Sequence, residues 1–150
     1  MVVLDEPVSE LRRNNMKAIH SNNTRIELLL RRELFRRGIR YRVNRKILAT
    51  RPDISVAKYK IAVFCDGDFW HGKDYYDGRV QHNKAYWDAK IKRNMERDFE
   101  QTILLRDEGW TVLRFWGSEI KEDVVSCAQR IVDSINRKKL IWRKEIDEKI

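Results

Sequence analysis

The sequence has 150 residues, enough for one domain with a single hydrophobic core and short for two. Its 32 Lys and Arg outnumber its 23 Asp and Glu, and the net charge of +9 predicts a polyanionic partner, above all nucleic acid. Cys65 and Cys127 form no CxxC pair, which excludes a disulfide framework and a four-cysteine zinc site. There is no signal-peptide pattern, and no apolar run approaches the roughly 20 residues of a membrane span. We therefore expect a cytoplasmic, soluble protein without a membrane partner.

The N-terminal part is predicted to hold a loose arm over residues 1–10 and a short basic helix over residues 9–19. A second helix begins at Thr24, where the sequence TRIE fits a capping box, and ends at Gly38. Alternating polar and apolar residues over 39–44 then predict a half-exposed strand.

The rest of the chain predicts a sheet interrupted by one long helix. The continuous apolar run 61–64 is typical of a central strand covered on both faces. The other predicted elements are a strand at 53–57, a helix at 84–107, a strand at 110–116, and a helix from 119 that the charged segment 136–150 either extends or leaves frayed. This order predicts one α/β domain over residues 1–150, more narrowly an α+β mixed sheet flanked by helices.

Acidic residues gather where two of these strands meet. Asp53 directly precedes the first strand, and Asp66 and Asp68 follow the second. A hairpin would bring Asp53 and Asp66 to one edge of the sheet, within reach of one Mg²⁺, a hard cation that prefers oxygen ligands. The alternative is that these aspartates are only turn residues at strand ends.

A histidine and two further carboxylates extend this cluster. A neutral His71 could take a proton from an attacking water, and Asp98 on the long helix could orient it. Glu27 either caps its own helix or makes a water-mediated metal contact. Asp68 is either a loop cap or a residue behind the metal ligands.

Aromatic and basic residues surround the cluster and suit binding to DNA bases and phosphates. On the long helix, Trp87, Ile91, Asn94 and Asp98 share one face. The alternative for the aromatics is that Trp70 and Trp87 simply pack on each other. The residues concerned are Phe69, Trp70, Tyr75, Tyr76, Tyr86 and Trp87, with Lys73, Arg79, Lys84, Lys90, Lys92 and Arg93.

Five segments in order carry a resemblance to a known family: NNMKAIHSNNTRIE, RPDISV, VFCDGDFWHG, AYWDAKIKRNMERD and LRDEGWTVLRFW. From about Leu11 to Glu122 the chain resembles the very-short-patch-repair (Vsr) mismatch endonucleases of the PD-(D/E)xK nuclease superfamily. The resemblance implies a restriction-endonuclease-like fold and a metal-dependent DNA endonuclease.

The resemblance also implies roles for individual residues. Asp53 matches the metal-binding aspartate, and the Cys65 carbonyl falls where the family supplies a second ligand. His71 matches the general base, Asp98 its paired aspartate, and Glu27 an outer metal contact.

DNA contacts follow from the same resemblance. Phe69, Trp70 and Trp87 match aromatics that intercalate beside a T:G mismatch. The segment of Met16 and Lys17 resembles the part that enters the minor groove. Independently of the resemblance, the basic and polar residues near the site are expected to contact the duplex: Lys73, Lys90, Arg93 and Asn94.

The sequence departs from the family at two places. Asp66 stands where Vsr proteins carry a second catalytic histidine. Their structural zinc ligands are replaced by Asp68, Lys73, Tyr75 and, approximately, Ser118, so no structural zinc is expected. The remaining Glu, Asp, His and Asp set also resembles the zinc-free EDxHD homing-endonuclease catalytic domains.

These observations predict an enzyme that uses Mg²⁺ or Mn²⁺ to nick double-stranded DNA, with Asp53, the Cys65 carbonyl and Asp66 around the metal. Two alternatives stay open: a homing or restriction-type enzyme that cuts matched DNA, and a non-catalytic DNA-binding module. We expect the bound protein to be associated with the nucleoid, and the oligomeric state is left open between a monomer and a weak dimer.

Overall fold

The computed structural model of the chain describes residues 24–68, 72 and 83–149. In this part of the chain, four strands form one sheet in the order β1 (Arg42–Val43), β2 (Ile54–Val56), β3 (Ile61–Asp66) and β4 (Thr111–Trp116). The first three are antiparallel neighbours, and β3 and β4 are parallel. The helices are α1 (Arg25–Arg36), α2 (Lys84–Asp107), α3 (Gly117–Glu122) and α4 (Val124–Lys149). The predicted mixed sheet flanked by helices is confirmed.

Helix α1 begins and ends where the sequence pattern predicts. The Thr24 backbone N–H and hydroxyl both donate to Glu27 Oε2, at 3.1 and 2.7 Å. These bonds satisfy groups that the first turn of a helix leaves without a partner. At the other end Gly38 has φ +84°, a left-handed conformation that glycine adopts without steric cost.

The central strand β3 separates two layers of helices. On one face Ile61 and Val63 pack into a core that includes Leu30 of α1 and Ile131 of α4. On the other face Ala62 and Phe64 pack with Leu105 of α2 and Val112 of β4. Because β3 is covered on both faces, its sequence is apolar without alternation, as predicted.

Strand register gathers the chemically active residues at one end of this sheet. Ile54 lies opposite Val63 in the antiparallel pair, so the residue before β2 lies beside the end of β3. Asp66 lies opposite Trp116 in the parallel pair, because α2 carries the chain back before β4 begins. The start of β2 and the ends of β3 and β4 therefore form a single edge.

The bounds of α2 are as predicted, but its apolar stripe faces outward. Met95, Phe99 and Ile103 are 40%, 69% and 41% exposed, whereas Ile91 is fully buried. The inward face continues from Ile91 through half-buried polar residues, among them Asp98, to the buried Leu105. The face predicted to look toward the acidic cluster is thus the face that packs against the sheet.

The remaining elements differ from prediction mainly in length. The predicted strand 39–44 pairs over only two residues at the sheet edge, both exposed. Helix α4 continues through the charged segment to Lys149, and Trp142 contacts the ring of Tyr59 with 5.5 Å between centroids. The predicted arm and basic helix lie outside the described residues. Within those residues, no helix is both long and apolar enough to cross a membrane.

Candidate active site

Asp53 is held at the end of the central strand by the main chain. It follows Pro52, which is fully buried, and its Oδ2 accepts a hydrogen bond of 2.7 Å from the Cys65 backbone N–H. This bond fixes the Asp53 carboxylate beside the last residues of β3. Asp53 and Asp66 therefore lie at the same edge, as the hairpin pattern predicts.

The surroundings of Asp53 oppose its ionisation. Burial is the largest cause that raises its pKa, to about 7, and the negative charges of Glu27 and Asp66 add to the rise. A hydrogen bond with Glu27 also raises the pKa, whereas the bond from the Cys65 N–H lowers it. The three carboxylates repel one another in a partly desolvated place, and a cation at Asp53 would relieve that repulsion.

Glu27 caps its own helix, as predicted, and it also lies near Asp53; its water-mediated metal contact stays a prediction. Its Oε2 completes the capping box with Thr24, and its Oε1 accepts a 3.3 Å hydrogen bond from Arg31 Nη2. The side chain is almost completely buried, and its charge acts on Asp53. The capping bonds thus also hold a carboxylate next to the candidate metal ligand.

Asp66 has an arginine as its partner. Arg114 Nη1 lies 3.0 Å from Asp66 Oδ1 and 3.2 Å from Oδ2, and Asp66 is 7% exposed. The same nitrogen lies 3.6 Å from Asp98 Oδ1, so one guanidinium lies between two of the predicted catalytic carboxylates. Sequence reasoning did not identify Arg114, because a polar residue in the partly alternating strand TVLRFW reads as an exposed position.

Asp68 is a loop cap. Its Oδ1 accepts a 3.1 Å hydrogen bond from the backbone N–H of Ser118, in the first turn of α3. Asp68 and Ser118 are two of the positions where the family resemblance implies zinc ligands. A direct hydrogen bond joins them in this chain, and the other two positions, Lys73 and Tyr75, lie outside the described residues.

Several predicted site residues lie outside the described residues, while those on α2 lie within them. Of the predicted DNA contacts on α2, Trp87, Lys90 and Asn94 are half-buried and Arg93 is exposed. Gly72 lies against this helix: a Cβ added there would fall 2.6 Å from Met95 Sδ and 3.1 Å from Ile91 Cγ2. The residues outside the described part are Met16, Lys17, Phe69, Trp70, His71 and Lys73.

The donor chemistry at this edge fits a hard divalent cation that keeps part of its water. Among residues 24–68, 72 and 83–149, no three His, Cys, Asp or Glu side chains converge into a complete metal cage. Mg²⁺ needs no such cage, since one or two carboxylates with waters and a phosphate oxygen are its usual protein environment. Burial and the neighbouring carboxylates raise the pKa of the Cys65 thiol, so its sulfur is a poor ligand and nucleophile.

The fold is a mixed sheet between helices, with carboxylates collected at the end of the central strand. Among solved structures, the homing endonuclease I-Bth0305I catalytic domain superposes with a TM-score of 0.56 at 18% identity. The match covers 77% of this chain and 98% of that domain. At this identity the similarity shows the fold, the expected restriction-endonuclease-like fold.

Sequence comparisons identify the family. The model of the DNA mismatch endonuclease Vsr family matches residues 4–77. The type II nicking enzyme V.NmeDIP of Neisseria meningitidis serogroup C is 38% identical, over 97% of this chain and all of that protein. V.HpaIIP of Haemophilus parainfluenzae is 43% identical, over 78% of this chain and 85% of that enzyme. The DNA mismatch endonuclease Vsr of Escherichia coli K12 is 37% identical, over 70% of this chain and 68% of that protein.

This chain belongs to the Vsr family of DNA endonucleases. The predicted resemblance and the predicted enzyme class are confirmed, and the alternative of a non-catalytic binding module is wrong. The family generally uses a divalent metal ion, and its members act on DNA.

Proposed function

We propose that this endonuclease uses Mg²⁺ to nick double-stranded DNA by hydrolysing one phosphodiester bond, within a single catalytic domain. The observation that carries the proposal is the half-buried Asp53 carboxylate, which accepts a hydrogen bond from the Cys65 N–H and lies near the charges of Glu27 and Asp66. A relative that matches over its whole length is named a nicking enzyme, which supports a cut in one strand.

The metal would be held by Asp53 and the carbonyl oxygen of Cys65. In an extended strand, the N–H and C=O of one residue point to the same side. The Cys65 N–H points at Asp53, so its carbonyl is on the side of that carboxylate. When bound, Mg²⁺ or Mn²⁺ would polarise the scissile phosphate and offset its growing negative charge. A third ligand at Asp66 remains a prediction, which the ion pair with Arg114 disfavours.

His71 is the proposed general base, and Asp98 is the carboxylate that orients it. The residue after His71, Gly72, packs on α2 at Ile91 and Met95, and Met95 lies within about one turn of Asp98. This packing supports a location of the imidazole near Asp98, where it would remove the proton of the attacking water.

The aromatic loop and α2 are proposed to hold the duplex. Phe69, Trp70 and Trp87 would wedge between bases, while Lys90 and Arg93 would contact phosphates. Asn94 and Lys73 would add contacts near the cut, and Met16 and Lys17 would reach the minor groove. The net charge of +9 supports a double-stranded DNA partner.

Nicking of supercoiled plasmid in Mg²⁺ tests the proposal. We expect Asp53→Ala and His71→Ala to lower the nicking rate by at least about 100-fold, because each removes a group that acts in the transition state. Asp107→Ala, an exposed carboxylate at the end of α2, is the matched control and should cut normally. Wild-type rates in the Asp53 and His71 variants would refute the mechanism.

Two substrates distinguish mismatch repair from cutting of matched DNA. The relative named a DNA mismatch endonuclease favours a T:G mismatch as the substrate. The likeness to a homing endonuclease catalytic domain favours a matched site. A T:G duplex and its T:A counterpart in several sequence contexts should differ in rate if mismatch recognition is correct. Equal cleavage would favour the second candidate.

A further inference from the structure

Arg114 joins the sheet to α2 at the candidate active site. Its Nη2 donates to the main-chain carbonyl of Asp98 at 3.2 Å, and its Nη1 lies 3.6 Å from the Asp98 carboxylate. Its Nε donates to Thr102 Oγ1 at 2.9 Å, and that hydroxyl donates in turn to the Asp98 carbonyl at 2.8 Å. One side chain of β4 therefore contacts both the backbone and the side chain of Asp98.

We infer that Arg114 is a positioning residue for nicking: it fixes Asp98, while Asp66 serves as its counter-ion. The inference rests on the proposed function, because Asp98 acts there on the general base. It also gives Asp66 a role other than metal binding, since both Asp66 oxygens lie within 3.2 Å of the guanidinium.

The geometry requires an arginine rather than any cation. A guanidinium presents donors in a planar fork, so it can bind a hydroxyl, a carbonyl and two carboxylates at once. The plane is supported by the ring of Phe64, whose centroid lies 4.0 Å from Arg114 Cζ. A lysine would keep the positive charge, but its single ammonium nitrogen could not donate to all of these groups at once.

The buried ion pair is not explained by stability alone. Taking two charges out of water costs about as much as their attraction returns, and neutral replacements of a whole pair are often tolerated. Removal of Arg114 alone would leave the nearly buried Asp66 without this partner and could unfold the protein. Replacing both members with neutral amides, Asp66→Asn with Arg114→Gln, avoids that penalty. Asp66→Asn alone, measured beside it, gives the part of the effect that comes from losing the Asp66 charge near Asp53.

The test is a set of steady-state nicking measurements on these variants. The double variant should remain folded, lose about 10- to 100-fold in kcat and keep its KM for DNA within about twofold, as expected for a group that orients a catalytic residue. Arg114→Lys should lose less. Arg130→Ala is the matched control: Arg130 also lies over an aromatic ring of the sheet, that of Phe115 at 4.8 Å, but it extends from α4 on the other face. It should leave kcat unchanged.

A double-mutant cycle with Asp98 separates positioning from a general structural effect. All variants of the cycle carry Asp66→Asn, so that Arg114→Gln leaves no buried carboxylate without this partner. If Arg114 acts through Asp98, adding Arg114→Gln should then cost less than about twofold in kcat once Asp98→Asn is present. Full additivity in that cycle, or a wild-type kcat in the Asp66→Asn, Arg114→Gln variant, would overturn the inference.

Failure of the inference and failure of the proposed function give different results. If the wild type nicks, Asp53→Ala does not, and the Arg114 variants keep their kcat, only the inference is wrong. If the wild type does not nick DNA in Mg²⁺, both are wrong.

Discussion

At the scale of single residues, the candidate site depends on one carboxylate in an unfavourable place. Burial of Asp53 raises its pKa to about 7, and the negative charges of Glu27 and Asp66 add to this rise. The folded protein without metal therefore keeps a proton on Asp53 at pH values where the unfolded chain has lost it. Metal binding and folding stability should both depend on pH near neutrality.

Stability without metal should fall as pH rises from about 4 to 7, because the folded state binds the extra proton in this range. The pKa of Asp53 is raised to about 7, chiefly by burial. Asp53→Asn removes this titrating group, so the stability of the variant should increase relative to that of the wild type as pH rises. Urea unfolding in EDTA at pH 5.5 and 8.5 measures the difference. An unchanged gap between the two proteins would contradict the assignment.

Gly72 is the second residue whose identity the site requires. Its φ of +85° is unfavourable for other residues, and an added Cβ would approach Met95 Sδ to 2.6 Å. Gly72→Ala should displace the neighbouring His71 and lower nicking by about 10- to 100-fold. Gly38→Ala is the control, because Gly38 has the same backbone conformation with open space around it. It should reduce stability and leave nicking intact; equal losses of activity would refute the prediction.

At the scale of elements, connections between distant segments shape the site. The Asp68 carboxylate lies just after β3 and accepts a hydrogen bond from Ser118 in α3. This contact ties the loop that leads to His71 to a helix that begins after β4. Asp68 and Gly72, the described residues on either side of positions 69–71, therefore contact α3 and α2.

Asp68→Ala should destabilise the protein by about 1–2 kcal/mol, because α3 loses an acceptor for one of its first N–H groups. It should also slow nicking, since the loop loses an attachment next to the site. Asp68→Asn keeps an acceptor oxygen and should recover most of both. Asp123→Ala removes a similar cap at Ser126 of α4 and provides the control. If Asp123→Ala slows nicking as much as Asp68→Ala does, the loss of activity in Asp68→Ala results from lower stability alone.

At the scale of the whole molecule, the excess of positive charge governs association with DNA. Each phosphate contact releases counterions, so affinity should fall steeply with salt. Residues on α2 near the site should account for part of that dependence. Residues at the opposite end of β3, where Lys58 lies beside Tyr59 and Trp142, should not.

Arg93→Gln and Lys90→Gln should each weaken duplex binding and reduce the slope of log K against log salt by about 1. Lys58→Gln should leave the slope unchanged. Fluorescence anisotropy with a labelled duplex, in EDTA at 50–200 mM salt, provides the measurement. If all three variants change the salt dependence equally, the positive charge attracts DNA without a defined binding face.

The sequence by itself determined the local elements and the family. Hydrophobic periodicity and the residues that begin and end helices were enough to predict the bounds of α2, the Thr24 capping box and the central position of β3. These features depend on residues that are close along the chain. Five motifs in order were enough for the nuclease class, and they also implied the proposed site residues Asp53 and Asp98.

Only the tertiary structure decided which side chains meet. The Arg114–Asp66 pair joins residues 48 positions apart, and local periodicity carries no information about such a partner. The orientation of α2 could not be predicted for the same reason. The spacing of its apolar residues predicts a helix, but it does not predict which face of that helix packs against the sheet. The inward face instead includes Asp98, where Arg114 binds both its main chain and its carboxylate, and that contact exists only once β4 lies parallel to β3.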